Sequence, residues 1–252
     1  MAMNCRSGQL NIDASSLRLD CLQPTDARPT PQALLLLETG LVTVSVVALI
    51  KLITLNPGAE INWLVTPTLL VTAALVPSWI RKDEFPRIGF ERNRLREILT
   101  ALGQSSILVF PGLLLVLWVL KLEGYGLPLR SGLPHGPAVA GWLLYQFVYV
   151  AVAEELFFRG YIQGNILRSA KILMRKRWRL QPTVGRWISI VASAAIFAAA
   201  HVLVHCQAAY ILTFLPGLVL GWLFVRTRSL LAPILFHGLA NIFYGAAALL
   251  LA

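Results

Sequence analysis

Long apolar runs alternate along this chain with short polar segments rich in Lys and Arg. Seven runs stand out, over roughly 33–54, 62–80, 98–120, 138–158, 187–204, 207–225 and 231–251. A helix rising 1.5 Å per residue needs roughly 20 residues to cross about 30 Å of hydrocarbon, and each run approaches that length. The pattern predicts an all-α, polytopic transmembrane helical bundle of about seven spans. Pro67, Pro77 and Pro111 fall inside predicted spans, where neighbouring helices can satisfy the carbonyls they free. Residues 1–31 have no continuous apolar stretch and carry Asp13, Asp20 and Asp26 with Pro24, Pro29 and Pro31, which predicts a flexible polar lead-in rather than a signal peptide.

Composition strengthens the membrane reading. Hydrophobic residues make up 57% and charged residues 13% of the chain, against roughly 45–50% and about 25% in soluble domains. The three cysteines, Cys5, Cys21 and Cys206, are an odd number without metal-type spacing, so no disulfide framework is implied.

The net charge of +10 would suit nucleic acid, but its placement argues against that partner. In a seven-span arrangement the basic residues of the N-terminus, of 81–97, of 159–186 and of Arg226 and Arg228 share one side. Of the chain's 22 Lys and Arg, only Lys51, Lys121 and Arg130 fall on the other. Lys and Arg near span ends mark the cytoplasmic side, so an integral, multi-pass protein with a cytoplasmic N-terminus and an external C-terminus is expected. In a prokaryote that membrane is the cell membrane. The stretch 159–186 reads as an orienting loop, or alternatively as a basic amphipathic helix on the anionic leaflet.

Polar groups inside spans are expensive and become functional candidates. Glu154 and Glu155 end the fourth run. Glu155 and Arg159, at i and i+4, can pair on one helical face, whereas Glu154 points about 100° away and can face a cavity. His201 follows Phe197-Ala198-Ala199-Ala200, small residues that let a neighbouring helix approach; His205, before Cys206 and Gln207, is expected at the interface. His237 and Asn241 share a face at i and i+4, and both can donate to a developing negative charge without being ionised. Gly217 and Gly221 read as helix packing. Each group also has a plain reading as interhelical hydrogen bonding or as a snorkelling charge. Together they offer a base, a proton shuttle and an oxyanion site.

These residues resemble the motifs of the CPBP family of intramembrane glutamic endopeptidases, which includes type II CAAX prenyl endopeptidases and bacterial Abi-type membrane proteins. The likeness lies in Glu154-Glu155-x-x-x-Arg159, Phe197-x-x-x-His201 and His237-x-x-x-Asn241, and covers roughly 138–245. It implies that Glu154 and His201 activate a water, that His237 and Asn241 form an oxyanion hole, and that Glu155, Arg159 and Phe197 support the site. It further implies a catalytic core over 138–252 behind N-terminal helices at 32–137, no cofactor, and a peptide or protein substrate, lipidated or not, met in the bilayer. One expectation sits awkwardly with this. If the fourth span ends at 158, Glu154 and His201 differ in depth by roughly 20 Å. Ile162 and Ile166, one turn apart beyond Arg159, point to a longer helix that would remove the difference.

Three rival readings use the same residues. Glu154, His201 and His237 make a His₂Glu zinc set, although HExxH is absent. A bacteriocin-immunity or scaffold protein would use them as interhelical glue. A transporter would use them as a proton relay, but no inverted repeat is evident.

Overall fold

The computed structural model describes residues 32–55, 62–82, 92–124, 138–173 and 182–251; the polar lead-in over 1–31 lies outside them. Every regular element among the described residues is helical. These are α1 (Gln32–Thr54), α2 (Asn62–Ile80), α3 (Arg92–Leu122), α4 (138–173), α5 (Pro182–His205), α6 (Phe214–Thr227) and α7 (Leu231–Leu251), with a 3₁₀ segment, Ala208–Thr213, leading into α6. Six of these helical stretches are long and apolar enough to span a membrane. The apolar part of α2, Leu64–Ile80, is shorter, about 26 Å at 1.5 Å per residue. The chain is a multi-pass helical membrane protein. Large apolar side chains accordingly stand on its outside, such as Leu41 and Val44 on α1, Ile107 and Leu108 on α3, and Leu250 on α7, an arrangement suited to hydrocarbon and not to water.

Proline stands at two helix starts. Pro182 and Pro233 sit in the first turns of α5 and α7, where a missing N–H leaves no intrahelical bond unmade. The turn from α6 to α7 is short. Arg228 adopts a left-handed conformation with φ of 52°, its N–H donates to Phe224 O at 2.9 Å, and Ser229 Oγ accepts from Leu231 N at 3.0 Å to open α7. This turn brings His237 and Asn241 back along α6.

The fourth predicted span requires correction. The helix does not end at 158 but continues to Leu173, and two π-wound stretches, Tyr145–Ala151 and Leu156–Gln163, flank the ordinary turn Val152–Glu155. Residues 159–173 are therefore not a loop. Arg159 is fully buried inside the helix and does not belong with the orienting charges. The depth difference disappears with the longer helix, because Glu154 lies nineteen residues before Leu173 and His201 nineteen residues after Pro182.

The N-terminal helices are fastened to α4 and α5 by polar contacts. Glu38 on α1 accepts from Arg81, at the end of α2, and from Tyr161 OH at 3.0 Å. Asn165 Nδ2 donates to Thr39 Oγ1 at 3.0 Å. Near the other end of α1, Lys51 Nζ donates to Val204 O at 3.0 Å, capping the last turn of α5 with a cation. α3 packs against α7 through the stacked rings of Phe110 with Phe236 and Phe243. The main core lies between α4, α5 and α2, around Phe157, Phe158, Ile162, Phe197 and Ala200.

Candidate active site

The two adjacent glutamates turn to different partners, as their angular separation on a helix requires. Glu155 is fully buried. Its Oε2 lies 3.2 Å from Arg159 Nε, one turn on, and its Oε1 lies 2.7 Å from His237 Nδ1 on α7. Arg159 is equally buried, with its guanidinium over the Phe197 ring at 4.5 Å and Nη2 donating to Gly217 O at 3.4 Å. One turn further, Gln163 Nε2 donates to Gly221 O at 3.0 Å. Gly217 and Gly221 therefore do more than permit packing. A Cβ on either would approach side-chain or backbone atoms to 3.2 Å, and each brings a carbonyl close enough to α4 to accept from one of its buried donors, Arg159 Nη2 and Gln163 Nε2. An unpaired buried charge is strongly destabilising, so this row of partners is what lets a carboxylate and a guanidinium lie inside the bundle.

Glu154 faces two imidazoles. Its Oε2 is 3.9 Å from His201 Nε2 and 3.8 Å from His237 Nε2, too long for direct hydrogen bonds. That oxygen is buried and accepts no hydrogen bond among the described residues. The Glu154 side chain is 18% exposed and that of His201 21%, so the cluster is not sealed.

The partners of the two histidines determine what their remaining nitrogens can do. His201 Nδ1 lies 2.9 Å from Phe197 O. A carbonyl only accepts, so Nδ1 carries the proton, and in the neutral ring Nε2 presents its lone pair toward Glu154. His237 Nδ1 likewise donates to the Glu155 carboxylate. For His237 to donate from Nε2 as well, the ring must be an imidazolium; Glu155 then faces two cations, His237 and Arg159, and the second negative charge is Glu154, 3.8 Å from Nε2. A neutral His237 in this setting is an acceptor at Nε2, which amends the expectation that it donates without being ionised.

Asn241 lies one turn beyond His237, and its Nδ2 donates to Gln146 Oε1 at 2.8 Å. Gln146 was not singled out from the sequence, although a polar side chain inside an apolar run was the signal that would have found it. His205 is exposed at the end of α5, next to exposed Cys206 and Gln207, and stacks on Tyr210 with ring centroids 4.4 Å apart. The close approach of α7 to α4 depends on Gly238, where a Cβ would overlap the Phe147 ring.

Residues 136–243, spanning all of these side chains from Gln146 to Asn241, match the family described as type II CAAX prenyl endopeptidase Rce1-like. The chain carries a CAAX-protease-family domain. Comparison with curated proteins and with solved structures gave no match. The CAAX-protease domain makes the protein a membrane protease, a hydrolase that acts on a peptide or protein. It comprises α4, α5, α6 and most of α7, and the fastened helices α1 and α2 and the packed α3 lie outside the match.

Proposed function

We propose that the CAAX-protease domain hydrolyses a peptide bond within the membrane by a metal-free glutamate mechanism. Glu154, with His201 Nε2 beside it, takes a proton from the attacking water, whose oxygen bonds to the scissile carbonyl carbon. The carbonyl oxygen gains negative charge and is met by His237 Nε2–H, in its imidazolium form, and by an Asn241 N–H. The C–N bond then breaks as the proton held by Glu154 and His201 passes to the leaving amine. Glu155 and Arg159 hold His237 in orientation, and Phe197 holds His201 through its carbonyl and Arg159 through its ring. The observation that carries this reading is the approach of Glu154 Oε2 to both Nε2 atoms, at 3.9 and 3.8 Å.

The family description favours a prenylated C-terminal peptide as substrate. The placement of basic residues favours a cytoplasmic N-terminus and an external C-terminus. The test is Glu154→Gln, which preserves size and removes the base. It should lower cleavage of an internally quenched peptide ending in a farnesylated Cys-aliphatic-aliphatic-X sequence by about 10²–10⁴-fold, the usual worth of a general base. A parallel comparison of membrane and secreted proteomes of wild-type and Glu154→Gln cells covers substrates of other kinds. Wild-type cleavage and an unchanged proteome in the variant would overturn the mechanism.

The zinc reading has a geometric argument in its favour, since one carboxylate oxygen and two imidazole nitrogens converge. Ligands about 2.0–2.1 Å from a tetrahedral zinc stand about 3.3 Å from one another. The N···O separations of 3.8 and 3.9 Å exceed that, and the metal-free mechanism is therefore preferred.

A further inference from the structure

An asparagine can serve an oxyanion only if its nitrogen faces the charge. Rotating its amide by half a turn puts Oδ1 where an N–H stood and converts attraction into repulsion. Such terminal torsions are broad and roughly two-fold, so helix position alone does not choose between the two. Asn241 Nδ2 donates to Gln146 Oε1 at 2.8 Å, in a part-buried setting. With one N–H engaged, the planarity of the amide fixes the direction of the other.

The winding of α4 brings Gln146 to this place. In an ordinary α-helix, residues eight apart differ by about 80° around the axis, which would turn Gln146 away from the Glu154 face. Gln146 lies in the π-wound stretch Tyr145–Ala151. There the i→i+5 bonding widens each turn and reduces the rotation per residue, which brings Gln146 toward that face and toward α7.

Granting that Asn241 stabilises the oxyanion, we infer that Gln146 is a positioning residue for the cleavage reaction, its side-chain carbonyl holding the Asn241 amide with an N–H toward the forming oxyanion. The role requires an acceptor at position 146. A carboxyl group supplies one in either protonation state, whereas a thioether of similar length is at best a weak acceptor.

The experiment compares Gln146→Met, Gln146→Glu, Asn241→Ala and the Gln146→Met/Asn241→Ala double variant on the farnesylated peptide. Asn241→Ala should lower kcat by about 10²–10³-fold, as loss of an oxyanion donor does. Gln146→Met should lower kcat by about 10–100-fold with KM nearly unchanged, the usual effect of losing an orienting partner. Gln146→Glu should recover most of that loss, and the double variant should be no slower than Asn241→Ala. Wild-type kcat in Gln146→Met beside an impaired Asn241→Ala would overturn the inference and leave the oxyanion reading standing. Wild-type kcat in Asn241→Ala would overturn both. A raised KM with unchanged kcat, or effects that multiply in the double variant, would give Gln146 a different role. NMR of the ¹⁵N-labelled Asn241 amide in lipid nanodiscs provides a readout without turnover. The proton bound to Gln146 should resonate downfield in wild type and Gln146→Glu and move upfield in Gln146→Met; spectra alike in all three would refute the contact.

Discussion

Gly238 offers the sharpest test of how the packing of α7 on α4 governs the chemistry. A methyl group there would overlap the Phe147 ring, with even Cγ only 2.8 Å away, against about 3.5–4.0 Å for carbon atoms in contact. Relief therefore takes at least about 0.7 Å at Cγ, and more at the ring edge. Either the ring turns or the helices part, and the contacts beside it are His237–Glu155 and Asn241–Gln146. Overpacking destabilises by about 1–3 kcal/mol, while Ala for Gly inside a helix returns about 1 kcal/mol. The net loss of stability for Gly238→Ala should be about 0–2 kcal/mol. A displacement near 1 Å at reacting groups lowers rates by about 100-fold, equivalent to about 2.7 kcal/mol. Thermal unfolding in detergent and kcat on the farnesylated peptide would separate the two effects. Gly141→Ala, where an added Cβ meets nothing within 4 Å, serves as the control and should be neutral or slightly stabilising. Phe147→Ala in the Gly238→Ala background removes the clash and should restore most of the rate. Full activity in Gly238→Ala, or no recovery in the double variant, would refute the reasoning.

Other expectations follow from the same geometry. Arg159→Met leaves the Glu155 carboxylate buried with His237 alone, and should lower stability by about 3–5 kcal/mol in denaturation measurements. Adding Glu155→Gln should recover part of that loss, because it removes the stranded charge. Dialysis against a chelator should leave cleavage unchanged, whereas a loss restored by zinc would replace the metal-free mechanism. An alkaline phosphatase fused to the C-terminus in a bacterial host should be active, and activity confined to an N-terminal fusion would reverse the orientation.

Much of this protein is legible from its sequence. In a bilayer, charge-poor apolar runs of roughly 20 residues can only be helices, because every backbone donor must be satisfied within its own segment, and this determines the fold class from local pattern alone. The polar residues left inside those runs also mark themselves, since hydrocarbon gives them no reason to be there. Glu154, Glu155, Arg159, His201, His237 and Asn241 are visible for that reason, before any helix is placed against another. The extent of α4 is not visible in this way. Beyond Glu155 the chain turns polar, with Arg159, Gln163 and Asn165, and a hydropathy pattern reads this as an exit from the membrane. The helix continues because those side chains find partners, Glu155 on α4 itself and, on other helices, the carbonyls of Gly217 and Gly221 and the Thr39 hydroxyl. The shared depth of Glu154 and His201 depends on that continuation. The fit of Gly238 against Phe147 and the meeting of Gln146 with Asn241 also depend on contacts between residues about 90 apart in the chain. One-dimensional periodicity records which face a residue occupies but not what lies opposite it, and only the packed bundle supplies that.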